Sequence, residues 1–231
     1  MQYSAPLKIL LVVLAPLLIF LLVSDFIIFN DSFYKEKFLE YGVLQSVPNA
    51  AYLHQKVMDF IQGKSSEVPN QFNAREYLHL WDVRNVISAS RTIMNALLIF
   101  FALAFLVFAF MLKDNKNMVK FAGQILFFGG LLTIIIAASF LFLIRLDFLS
   151  SFESFHRIFV RSGTYAFDPA TELIVNLYPE ELFMDIGIKI SEWVVVSAIV
   201  INLLGISLLL KSKSKKNKKI WKNFISKMKF F

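Results

Sequence analysis

The chain has 231 residues, 57% of them apolar, with 26 phenylalanines and a mean hydropathy of +0.62. Soluble domains carry about 45–50% apolar residues, so much of this chain must face lipid and an ordinary soluble domain is excluded. The absence of cysteine removes disulfides, thiolate metal sites and a cysteine nucleophile, and the formal net charge of +7 has to be located before it is interpreted.

Four apolar stretches follow in chain order: approximately Leu7–Phe29, Thr92–Leu112, Val119–Ile144 and Trp193–Leu210. Each supplies about the 17–25 residues that cross 30 Å of hydrocarbon as helix, the conformation that satisfies its own backbone there. The first stretch is too long for a signal peptide, carries a single lysine, Lys8, at its start and has no small-x-small cleavage site after it, and reads as a retained span. Lys113, Lys116 and Lys120 fall within eight residues at the junction of the second and third spans, and nine lysines from Lys211 to Lys229 follow the fourth. Segment 30–91 balances seven basic against seven acidic residues, and segment 145–192 holds four against eight. The positive-inside rule then places both termini in the cytoplasm and the two long segments outside. The positive surplus sits in tail 211–231, where anionic lipid is a nearer partner than nucleic acid. The expected fold is an all-α integral membrane protein: a single domain built as a four-transmembrane-helix bundle with a small helical extracytoplasmic cap.

Within the first outer segment, Asn49–Gly63 reads as a helix with Leu53, Val57, Phe60 and Ile61 on one face, and residues 63–70 as a loop. Asn73 with Glu76 forms a capping-box variant, and no Gly or Pro occurs from Ala74 to Leu112, so one helix is expected to continue into the second span. Glu76, His79 and Asp82 share a face of it. In the second segment Phe148, Phe152, Phe155 and Phe159 form a stripe opposite Glu153, Arg157 and Arg161. This is the pattern of an interfacial helix with its phenylalanines toward acyl chains, His156 on the flank, and Gly163 as its end.

Each candidate has a bland reading. His54, beside Gln55 and Lys56, reads as part of a solvated face. His79 is either a local ion pair or a catalytic group, and His156 either an amphipathic side chain at headgroup depth or a catalytic one. No G-x-S-x-G, P-loop, dinucleotide fingerprint or H-x-x-x-H occurs, so neither a serine elbow, a cofactor nor a metal is expected. No ionisable residue sits mid-span, which disfavours transport.

The blocks Ala74-Arg-Glu-Tyr-Leu-His79-Leu-Trp-Asp82-Val-Arg84 and Phe155-His156-Arg-Ile-Phe159, with Tyr165-Ala-Phe-Asp168-Pro169, Glu172 and Tyr178-Pro179-Glu180, resemble the bacterial lipoprotein intramolecular transacylases. The pattern differs at Leu80, Tyr165 and Glu172, where methionine, tryptophan and aspartate are expected. The resemblance implies transfer of the sn-2 acyl chain of a diacylglyceryl-cysteine lipoprotein to that cysteine's own α-amine, giving the lyso form at the outer leaflet of the cell membrane. On that reading His156 is the general base and then acid. His79, held by Glu76 or Asp82, is its partner or an oxyanion donor, and Tyr165 is a second donor. Arg75 and Arg84 hold substrate or pair with acids, and Asp168 orients a histidine or builds the turn before Pro169. The implied partners are the lipoprotein, outer-leaflet phospholipid and anionic lipid at the tail. Two other classes remain open here: a non-catalytic lipid- or protein-binding membrane module, and a small transporter subunit.

Overall fold

The computed structural model describes residues 4–111, 115–160 and 165–228, with side chains as far as Lys213. The expectations placed on Leu112, Lys113, Arg161, Gly163 and the tail lysines beyond Lys213 fall outside this description. The described residues form nine helices and no strand: α1 (Ser4–Ile28), α2 (Asp31–Glu40), α3 (Val43–Ser46), α4 (Ala50–Ile61), α5 (Ala74–Met111), α6 (Asn115–Leu146), α7 (Phe148–Phe159), α8 (Leu173–Leu177) and α9 (Glu180–Met228). Helices α1, α5, α6 and α9 are long and apolar enough to cross a membrane. Ile9, Val13, Ile99, Leu103, Ile135 and Leu203 are each more than half exposed. In water that surface would cost about 25 cal/mol per Å², whereas lipid accepts it. The fold is that of an all-α integral membrane protein.

Two compact units divide the chain. The first comprises residues 1–20, 96–138 and 193–231. Leu11, Ala104, Phe108, Phe121 and Ile125 form its core, with the Phe108 and Phe121 rings stacked 3.8 Å apart. The Lys8 ammonium donates to the Gln124 Oε1 at 3.2 Å. Helices α6 and α9 approach backbone to backbone at Gly205, where an added Cβ would lie 2.7 Å from Phe127 N and 3.0 Å from Gly123 O.

The second unit, residues 21–95 and 139–192, holds all three histidines. Its core draws on both long segments: Phe33, Phe38, Leu53, Val57, Phe60 and Leu80 pack with Ile174, Leu177 and Leu182. Helix α4 buries the expected Leu53, Val57, Phe60 and Ile61, and Gly63 follows it at φ +79°, a conformation that side-chain-bearing residues rarely adopt. Helix α5 runs 38 residues without interruption, about 57 Å at 1.5 Å per residue. All its charged groups and its histidine fall in Ala74–Arg91, before the apolar stretch that fills the hydrocarbon. Helices α2, α3 and α8 carry no clear periodic signal and are additions to the sequence reading.

His54 corrects an expectation. It is 8% exposed rather than solvated, because α4 is covered on that side too. Its Nδ1 and the Tyr178 hydroxyl lie 3.0 Å apart, and the Tyr34 and Phe38 rings pack at 4.3 and 5.3 Å. Burial pushes its pKa down to about 4, so it is a neutral core residue at pH 7.

Replacing Gly205 by alanine is expected to lower the melting temperature of the detergent-solubilised protein. The helix-propensity gain of about 1 kcal/mol is outweighed by overpacking against rigid backbone, about 1–3 kcal/mol. Gly187→Ala meets only the flexible tip of Ile144, at 3.0 Å, and should melt at or above wild type.

Candidate functional site

The site is assembled from the first two turns of α5, the inner face of α7 and the segment 165–174. At the start of α5 the Asn73 side chain accepts the Arg75 and Glu76 N–H groups at 2.8 and 3.0 Å. The Glu76 carboxylate returns to accept the Asn73 N–H at 2.6 Å, completing the capping box. Its second oxygen accepts the Ile174 N–H at 2.7 Å. Glu76 is therefore 1% exposed with both oxygens occupied. This corrects the expectation that it holds His79: the spacing allows that contact, but two backbone donors claim the carboxylate first.

His79 stands one turn further along, 8% exposed, and its buried Nδ1 has no hydrogen-bond partner. Burial, reinforced by the neighbouring His156 and opposed by the charge of Asp82, pushes its pKa down to about 4. Asp82 is itself buried and acts on His79 as a charge.

Helix α7 is capped by Asp147, whose carboxylate accepts the Ser150 N–H and hydroxyl at 3.0 and 2.6 Å. Phe148 and Phe152 turn inward, with Phe152 5.6 Å from Phe183, while Phe155 and Phe159 are half exposed and suited to acyl chains. The stripe thus splits into a packing half and a surface half. His156 is buried between them rather than left on a flank, and the helix ends at Phe159. Its Nδ1–H donates to the Phe152 carbonyl at 2.8 Å. A carbonyl only accepts, so the proton belongs on Nδ1 and Nε2 carries the lone pair. Burial lowers the His156 pKa and the carbonyl bond works against it, so the ring is neutral at pH 7.

The two imidazoles meet. Their centroids lie 6.1 Å apart with planes inclined by 16°, and they make no hydrogen bond to each other. Aromatic rings wall them in: Phe152 at 4.0 Å and Tyr165 at 4.9 Å from His156, and the edge of Phe167 at 5.2 Å from His79. Tyr165 and Phe167 are held in place by Arg75. Its guanidinium donates to the Ala166 carbonyl, pairs with Glu172 at 3.3 Å and lies 5.2 Å from the Phe167 ring. Glu172 also accepts the Asp168 N–H at 2.7 Å. The Asp168 carboxylate accepts the Ala170 N–H at 2.9 Å and builds the turn around Pro169; it bonds to no histidine. Phe167 and Glu172 lay inside the quoted motif, yet spacing along the chain gave no sign that Arg75 would bind both. Arg84 is five residues from His79, about 140° around α5, and belongs to a different face. Among the described residues no group of three or more His, Asp or Glu could hold a metal ion. The arrangement offers a bare imidazole nitrogen, a second neutral imidazole and an aromatic wall, which suits proton transfer without net charge.

The profile of the family described as lipoprotein intramolecular transacylase Lit matches residues 9–183. No curated protein sequence matches the chain. Among solved structures the chain is similar to the membrane integral lipoprotein intramolecular transacylase Lit from Bacillus cereus, with TM-score 0.78 and 19% identity, covering 92% of this chain and 99% of that one. Two further structures of that protein, with a histidine replaced by arginine or by alanine, give TM-score 0.73 and 19% identity. They cover 93% and 92% of this chain, and 95% and 96% of theirs.

Arg75→Ala leaves the buried Glu172 carboxylate without its charged partner, so a modest loss of stability is expected along with the loss of position. Releasing the Tyr165–Phe167 segment should nevertheless lower turnover about tenfold or more, since small misplacements are costly. Arg75→Lys keeps the charge but loses the planar fork, and should recover little. Wild-type turnover in Arg75→Ala would show that the segment holds itself.

Proposed function

The chain belongs to the lipoprotein intramolecular transacylase family, and from that membership we propose that it moves the sn-2 acyl chain of a diacylglyceryl-cysteine lipoprotein to that cysteine's α-amine, with His156 as general base and acid. It is an acyltransferase whose two reactants belong to one substrate molecule. The observation that carries the reading is the pair of neutral imidazoles 6.1 Å apart, one with its Nδ1 committed to a backbone carbonyl.

The chemistry follows from the groups present. Holding amine and ester together supplies effective molarities of about 10⁵–10⁸ M, so no acyl-enzyme is needed. The neutral amine attacks the ester carbonyl carbon, forming the N–C bond. His156 Nε2 takes the proton that nitrogen sheds. As the C–O bond to glycerol breaks, the same nitrogen returns that proton to the leaving oxygen. His79, neutral and without an internal Nδ1 partner, is the donor for the carbonyl oxygen as it gains charge, with Tyr165 beside it; one such donor is worth about 10²–10³ in rate. Arg75, Glu76 and Glu172 position segment 165–174. The four spans, approximately 7–29, 92–112, 119–144 and 193–210, leave both termini in the cytoplasm, with the lysine-rich tail against anionic lipid and the histidine site at the outer leaflet.

The sign of the pH dependence follows from these groups. The substrate α-amine loses its proton near 7.7–8.0. The His156 pKa is lowered below 6.5, so His156 is deprotonated throughout the neutral range. Turnover should rise to a plateau above about pH 8, with the histidine limb confined below pH 6.5. A fall above pH 8 would contradict a neutral base.

The direct test expresses the chain in cells lacking N-acylating enzymes and maps lipoprotein N-termini by mass spectrometry. N-acylated lyso-form termini are expected, and unmodified diacylglyceryl termini would end the proposal. His156→Ala should abolish the product while the extracted protein stays folded; near wild-type product would remove His156 from the mechanism.

A further inference from the structure

A second polar site lies on the other side of α5 from His79. It is an open-sided hollow of about 260 Å³ lined by Gln62, Gly63, Arg84, Ser88, Arg91 and Asn95, among others. Residues 84, 88, 91 and 95 recur every three or four positions and lie about 120–180° around the helix from His79. The hollow therefore does not open on the imidazole pair by the α5 face it uses.

Its charge is unbalanced. The lining holds two guanidinium groups and no carboxylate. Arg84 makes no ion pair among the described residues. It is fixed instead by donating to the Ser65 carbonyl at 2.9 Å and by lying over the Phe60 and Trp81 rings at 5.0 and 5.4 Å. Arg91 spends only its Nε on Asp25, at 2.6 Å, and rests over Phe29. Two arginines are thus held in place with Nε and Nη2 of Arg84 and both terminal nitrogens of Arg91 uncommitted among the described residues. That geometry suits the oxygens of a phosphate, which a guanidinium binds in bidentate fashion.

Depth identifies the source of the phosphate. Asn95 is the last polar residue before sixteen consecutive apolar residues, Ala96–Met111. The hollow therefore lies where α5 passes from polar to hydrocarbon-facing sequence, at headgroup height. We infer that Arg84 and Arg91 form a binding site for the phosphodiester headgroup of an anionic glycerophospholipid, separate from the acyl-transfer site. Gln62, Ser88 and Asn95 offer hydrogen bonds to a polyol head. A choline head would bring a further cation to a site whose lining holds two guanidinium groups and no carboxylate. The inference does not depend on the proposed reaction, whose diacylglyceryl group carries no phosphate.

The test is native mass spectrometry of the purified full-length protein in detergent with four probes: a short-chain phosphatidylglycerol, the matched phosphatidylcholine, the matched diacylglycerol and inorganic phosphate. Phosphatidylglycerol should be retained at least tenfold better than the other three. Ser88 is exposed, so Ser88→Asp should fold normally while placing a carboxylate between the arginines, and should reduce that retention at least tenfold. Asn95→Glu, also at an exposed position, carries the same expectation if Ser88→Asp misfolds. Equal retention of phosphatidylcholine or diacylglycerol would overturn the inference. So would undiminished phosphatidylglycerol retention in a folded acidic variant. Inorganic phosphate binding as well as the lipid would make the site one for a free anion instead.

Discussion

A single buried carboxylate decides where everything else in the second unit can go. Glu76 accepts one backbone N–H from the start of its own helix and one from Ile174, nearly a hundred residues later. A carboxylate that is 1% exposed is stable only when its oxygens are satisfied, so the two segments are held together by the cost of separating them. Arg75, the adjacent residue, adds the grip on Ala166, Phe167 and Glu172. From two consecutive side chains the segment carrying Tyr165 and Phe167 is brought over His79, and the capped helix α7 supplies His156 from the other side.

What results is a pair of neutral imidazoles rather than a charged centre. Both imidazoles are buried, and burial lowers both pKa values, so at pH 7 each is neutral. Neutral rings walled by aromatic side chains fit the proposed reaction, in which the proton would pass from nitrogen to oxygen within one substrate. The absence of cysteine and of a serine elbow agrees with that proposal, in which proximity stands in for a covalent intermediate.

Much of this was legible in the chain. The four apolar helices, the Asn73–Glu76 box, the buried face of α4 and the helix from Phe148 to Phe159 all follow from local periodicity and caps. Such signals are carried by neighbours three or four residues apart. His54 reads as solvated because its neighbours Gln55 and Lys56 are polar, whereas Tyr34, Phe38 and Tyr178 come from distant stretches to cover it. Glu76 differs from its sequence expectation for the same reason. Helical spacing pointed it at His79, and only the arrival of Ile174 shows where its second oxygen goes. The Arg75–Glu172 pair spans 97 residues and has no local signature at all.

The central claim is that His156 presents a bare Nε2 because its Nδ1–H is committed to the Phe152 carbonyl. Histidine-selective ¹⁵N NMR of the solubilised protein at neutral pH reads that tautomer directly, and only three histidines need assigning. The account predicts that His156 carries its proton on Nδ1 and titrates below pH 6.5. An Nε2–H tautomer, or a ring still protonated at pH 7, would contradict it.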